Sequence, residues 1–144
     1  MNGDWSIMRQ YAPLAGRVPL AVIFLISGFG KITGFAGTAS FMASKGMPFA
    51  EVLLAGALVF ELAGAVMLIL GWRARWGALL LIVFMIPATL IFHNFWAVEV
   101  AQYRNQLNHF LKNVAMIGGL LYVMAFGAGP LSLDAPAKRE AGRT

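Results

Sequence analysis

The sequence predicts an all-α protein: an integral membrane four-helix bundle with a short amphipathic interfacial helix between spans 1 and 2. Three observations predict it. Hydrophobic residues make up 60% of the 144-residue chain and charged residues 12%, about half of the roughly 25% usual in a soluble domain. The apolar residues fall in four continuous runs, and each approaches the about 20 residues that cross a bilayer as a helix. Continuous runs also argue against a β-barrel, whose strands alternate apolar and polar positions.

The first run extends from Leu14 to Gly30. It carries Arg17 internally and leads into Lys31 without a small-x-small cleavage pattern, so it reads as a span and not as a signal peptide. The connection Ile32 to Phe49 is long enough to fold. Phe35, Ala39 and Met42 recur there at helical spacing before Gly46-Met47-Pro48, which marks the interfacial helix. The second run, Val52 to Leu70, holds Glu61 near its middle. Ala57, Glu61 and Ala65 form a row beside Gly64 that admits a neighbouring helix closely. Trp72-Arg73-Ala74-Arg75-Trp76 is a tight turn into the third run, Trp76 to Phe92, which ends at His93. Asn94 to His109 is polar and aromatic, and is expected to cap that end of the bundle. The fourth run is Phe110 to Phe126. The chain beyond Gly129-Pro130 is small and charged and is expected to be loose. One domain covers 1–134, with 135–144 as a loose cytoplasmic tail.

Four spans place both termini on one side. That side carries Arg9, Arg73, Arg75, Lys138, Arg139 and Arg143, against Lys31, Lys45 and Arg104 on the other. The imbalance predicts a multi-pass protein of the bacterial inner membrane with both termini cytoplasmic. The net charge of +5 then serves orientation and contact with anionic lipid; no nucleic-acid motif accompanies it. Zero cysteines exclude dithiol or thiolate chemistry and a cysteine-bound iron–sulfur cluster from this chain.

Ionisable groups within the runs are where chemistry is expected, because one charge at helix-centre depth costs roughly 2.5–3.5 kcal/mol on insertion scales. Arg17 and Glu61 are expected to pair, either as a structural lock or with Glu61 carrying a proton or contacting a ligand. At the opposite end three helices bring together Lys31, His93, His109, Lys112 and Asn113, with Trp96 on the His93 face. Such a cluster suits a quinone carbonyl or a small oxyanion, with His93 as proton donor and acceptor, Lys31 and Lys112 as electrostatic clamps and Asn113 as hydrogen-bond partner. Simple snorkelling of the lysines is the structural alternative. Two histidines sixteen positions apart make no metal-ligand spacing, and only a weak bis-histidine haem alternative; no haem, flavin or metal motif is present.

Several stretches in order carry a resemblance. They are Arg17, Ser27-Gly28-Phe29-Gly30-Lys31, Gly46-Met47-Pro48, Phe60-Glu61-Leu62-Ala63-Gly64, His93-Asn94-Phe95-Trp96, Phe110 to Leu121, and Gly127-Ala128-Gly129-Pro130-Leu131-Ser132-Leu133-Asp134. With these the chain resembles the DoxX family of small four-span bacterial membrane proteins. The resemblance implies a redox or quinone association, since the family takes its name from a subunit of an archaeal thiosulfate:quinone oxidoreductase. The expected function is a quinone-associated subunit of a membrane redox assembly, with a protein partner that supplies electrons. The alternatives are a non-enzymatic scaffold subunit and, third, a small-anion carrier.

Overall fold

A computed structural model describes residues 3–135, with side chains from residue 5 onward; residues 136–144 of the expected loose tail lie outside the described residues. Among the described residues five α-helices form: α1 (Gly3–Thr33), α2 (Phe35–Ser44), α3 (Ala50–Leu70), α4 (Ala74–Phe92) and α5 (Val100–Phe126). Four of them, all but α2, are long and apolar enough to cross a membrane, and together they make the membrane helical bundle that composition predicts.

α3 packs between α1 and α4, and α4 between α3 and α5, while α1 and α5 meet only sparsely. The core lies where these faces converge, on Ala21 and Phe24 of α1, Ala65 and Leu68 of α3, Leu81 and Met85 of α4 and Leu120 of α5. The small residues near Glu61 act as their spacing predicts. A Cβ on Gly64 would lie 2.9 Å from the Gly77 carbonyl oxygen, so the α3 and α4 backbones touch there. The short α2 folds back on α3, with Ala39 and Met42 buried against Leu54 and Leu58, the positions that its spacing assigns inward.

Two helices exceed their apolar runs. α1 starts well before Leu14, and α5 starts at Val100, ten residues before Phe110. At 1.5 Å per residue, 27 residues make α5 about 40 Å long against a hydrocarbon core of about 30 Å, so its polar first turns continue the helix beyond the apolar slab. The expected cap between Asn94 and His109 therefore shrinks to a 3₁₀ turn, Phe95–Ala97. Phe95 packs edge-on against Trp96, Tyr103 and Phe110.

The segment after Pro130 is ordered as far as Asp134, which corrects the expectation of a loose chain there. α3 ends in a Schellman turn at Gly71, whose φ of +62° suits glycine. Leu133 N–H then donates to Leu70 O and Asp134 N–H to Gly71 O. The Asp134 carboxylate accepts the Arg73 N–H at 2.6 Å and the Ala74 N–H at 2.8 Å. Asp134 thus caps the N-terminus of α4 from 60 residues away, where unsatisfied amides and the helix dipole favour an acid.

Candidate functional site

A cavity of about 370 Å3 lies in the half of the bundle that carries His93, bounded by α1 to α5. Its walls are apolar, including Phe24, Phe41, Leu54, Phe84 and Phe92. Its polar lining comes from Ser27, Lys31, Thr38, Glu61, His93 and Asn113. Both its size and its few convergent polar groups are those of a small-molecule site.

Lys31 is in the last turn of α1. Helical side chains lean toward their own N-terminus, so Lys31 leans back along the span and not out of it. Its Nζ lies 3.0 Å from each Glu61 oxygen and also donates to Ser27 Oγ, one turn earlier. All three ammonium protons are thus used, and Nζ is 5.5 Å from the Phe84 ring centroid. Glu61 is fully buried. The pair places two opposite charges against the cavity with no net charge.

This corrects the expected Arg17–Glu61 pair. Arg17 is buried at the other end of the bundle. Nη1 donates to Leu68 O at 2.6 Å and to Ile69 O at 3.0 Å, and Nη2 donates to Leu131 O. The helices run antiparallel, so Arg17 stands level with the last turn of α3, about 11 Å by helical rise beyond Glu61. Helix-terminal carbonyls there have spare acceptor capacity, Leu68 O taking the Gly71 N–H as well, and one guanidinium reaches several of them at once. Reading depth from side chains alone overlooked these backbone acceptors.

His93 directly follows α4. Its Nδ1 is 3.0 Å from Gln106 Oε1; with Nδ1–H as donor, Nε2 is left to accept or exchange a proton. The ring stacks on His109 with centroids 5.0 Å apart. Asn113 Nδ2 donates to the buried Thr89 hydroxyl at 3.0 Å, which leaves its second N–H for another acceptor.

Of the residues that the sequence singles out, Lys31, Glu61, His93 and Asn113 line one cavity. Lys112 is exposed, about 100° round α5 from Asn113, and does not share that lining. Trp96 is 58% exposed and sits in the aromatic cluster beside Phe110, so it is not placed to contact a ligand in the cavity. Sequence reasoning gave no role to Thr38 and Phe41, which bring the α2 wall to the cavity. It also missed Gln106 as the partner that orients His93. Ser27 was detectable, since it precedes Lys31 by one turn on the same face. Among the described residues no three His, Cys, Asp or Glu side chains gather to hold a metal.

Comparison with known proteins agrees with this architecture. A family model described as DoxX matches residues 12–94. The chain is 33% identical over 131 residues to inner membrane protein YphA of Escherichia coli (strain K12), covering 91% of this chain and 94% of that protein. It is 32% identical over 127 residues to inner membrane protein YqjF of the same organism, covering 88% and 92%. A Surfeit locus protein 4 homolog of Schizosaccharomyces pombe is 28% identical over 132 residues, covering 90% of this chain and 39% of that protein. No solved structure matches. The chain belongs to the DoxX family.

Proposed function

We propose that this DoxX-family chain is a quinone-associated subunit of a membrane redox assembly, set in the bacterial inner membrane with both termini in the cytoplasm. The observation that carries the reading is the apolar cavity of about 370 Å3 with Glu61, His93 and Asn113 on its wall. Flat aromatic walls suit a ring. The free Asn113 N–H suits a carbonyl oxygen, and His93 Nε2 suits a proton in transit. Because Lys31 is neutralised by Glu61, the cavity favours a neutral head group over an oxyanion, which disfavours the small-anion carrier. Reduction of a quinone takes two electrons and two protons. A partner subunit supplies the electrons; His93 Nε2 takes up each proton from water and passes it to a quinone oxygen. The Glu61 carboxylate relays a proton only after taking one up itself, which loosens its pair with Lys31. The Escherichia coli relatives are named inner membrane proteins, and the lysine and arginine imbalance supports the orientation.

A scaffold role is the second reading. It is favoured by the complete use of the Lys31 donors within the protein and by the backbone contact of Gly64 with Gly77. Quinone content and melting temperature measured on the same purified samples separate the two. The quinone reading expects co-purified or added quinone to be lost from His93→Ala with a near-normal melt. A parent protein that neither carries nor binds any quinone, with a destabilised His93→Ala variant, would leave the scaffold.

A further inference from the structure

At the end of the bundle that carries the termini, the sparse contact of α1 with α5 leaves an apolar groove of about 610 Å3. Met8, Pro13, Leu20, Tyr122, Val123 and Phe126 line it, and a side chain built on Gly16 would meet nothing there within 4 Å. Arg9 stands at the groove. Arg17 also lines it, 2% exposed, and its Nε–H has no acceptor among the described residues. Beside the groove is a recess of about 690 Å3 lined by Arg73, Arg75 and Trp76. Groove and recess share Phe126, Gly127 and Gly129. The acid in the recess, Asp134, already spends one oxygen on each of two backbone amides.

We propose that groove and recess together hold one anionic phospholipid, with an acyl chain between α1 and α5 and its phosphate among Arg9, Arg73 and Arg75. Charge complementarity selects this occupant. Two arginines, Arg73 and Arg75, line a recess whose carboxylate is already engaged, and Arg9 lines the adjoining groove. Guanidinium groups match phosphate oxygens in bidentate geometry. The groove is continuous with that charge and apolar, so a tail adds anchoring that a free anion lacks. A basic recess between spanning helices is a setting in which phospholipid head groups are recognised. The site is independent of the cavity near His93.

Native mass spectrometry of the full chain, titrated with phosphatidylglycerol, phosphatidylcholine or inorganic phosphate, tests the assignment. Phosphatidylglycerol should bind about tenfold tighter than phosphatidylcholine, roughly one arginine's increment, because phosphatidylcholine offers the same phosphate and lacks only the net negative charge. Arg9→Gln with Arg75→Gln should bring that ratio close to one, and Gly16→Leu should weaken both lipids by filling the groove. In case Gly16→Leu does not fold, quenching in the unaltered protein gives a second measurement. Brominated phosphatidylglycerol should quench Trp5, which lines the groove, more than brominated phosphatidylcholine does, and Trp5→Phe should remove the difference. Equal affinity for the two lipids in the unaltered protein overturns the proposal. So does a ratio unchanged in the arginine variants, which would leave Arg75 as a partner of the α5 terminus only. Inorganic phosphate binding as tightly as phosphatidylglycerol would mean a bare anion site, and a second protein copy filling the groove without lipid would mean a dimer contact.

Discussion

Lys31 and Glu61 join α1 to α3 through an ammonium that sits 3.0 Å from both carboxylate oxygens. One charge lies near the end of its helix and the other near the middle of its own. The N-terminal lean of helical side chains closes that gap. Breaking such a pair strands a buried charge at a cost of about 3–5 kcal/mol, whereas removing both partners is milder. Glu61→Gln and Lys31→Met should each destabilise the bundle by that order. The double variant should lose clearly less than the sum, measured by equilibrium unfolding in detergent. Additive losses would show that the two groups do not interact.

Arg17 provides the contrast. Its guanidinium holds three backbone carbonyls and does not touch Glu61. Arg17→Lys should cost about 2 kcal/mol, because a charged hydrogen bond contributes about 1.5–3 kcal/mol and a lysine does not reproduce the planar fork. Combined with Glu61→Gln, the losses should add within about 0.5 kcal/mol. Strong coupling between these two positions would contradict the structure.

Asp134 caps α4 through the Arg73 and Ala74 amides. Asp134→Ala should cost about 1–2 kcal/mol, in the range of lost helix caps. Hydrogen exchange should show the Arg73 and Ala74 amides losing protection first. Unchanged protection at both amides would mean that the cap is not formed.

Glycine spacing separates close contact from open surface. Gly64→Ala forces a methyl to within 2.9 Å of the Gly77 oxygen and should cost about 1–3 kcal/mol by overpacking. Gly56→Ala, also in α3, meets nothing within 4 Å and should be neutral or stabilising through helix propensity. A melt series on the two variants checks the order.

Orientation is a separate expectation. Reporter fusions after Thr144 should read cytoplasmic, and a tag near Gly46, between α2 and α3, should read external. The reverse pattern would move the His93 cavity to the cytoplasmic side and contradict the charge imbalance between the two faces.

The sequence by itself determined the four spans, the ionisable residues inside them and a short interfacial helix between the first two. The packing of that helix back on α3 came from the tertiary structure. Long apolar runs, the Phe35–Ala39–Met42 spacing and isolated ionisable groups are local signals, each carried by a few consecutive turns. They placed Lys31, Glu61, His93 and Asn113 in one protein, and the first of these near the end of its span. Tertiary structure decided the partners. Glu61 takes Lys31 over Arg17 because antiparallel packing sets Arg17 level with the carbonyls that end α3. A side-chain pattern does not encode backbone acceptors of that kind. The same reason hid the ordered segment to Asp134, whose role depends on two helix termini, remote in sequence, opening at one place. It also separated Lys112 and Trp96 from the cavity, since one step along α5, or a 3₁₀ turn before it, rotates a side chain away from its expected neighbours.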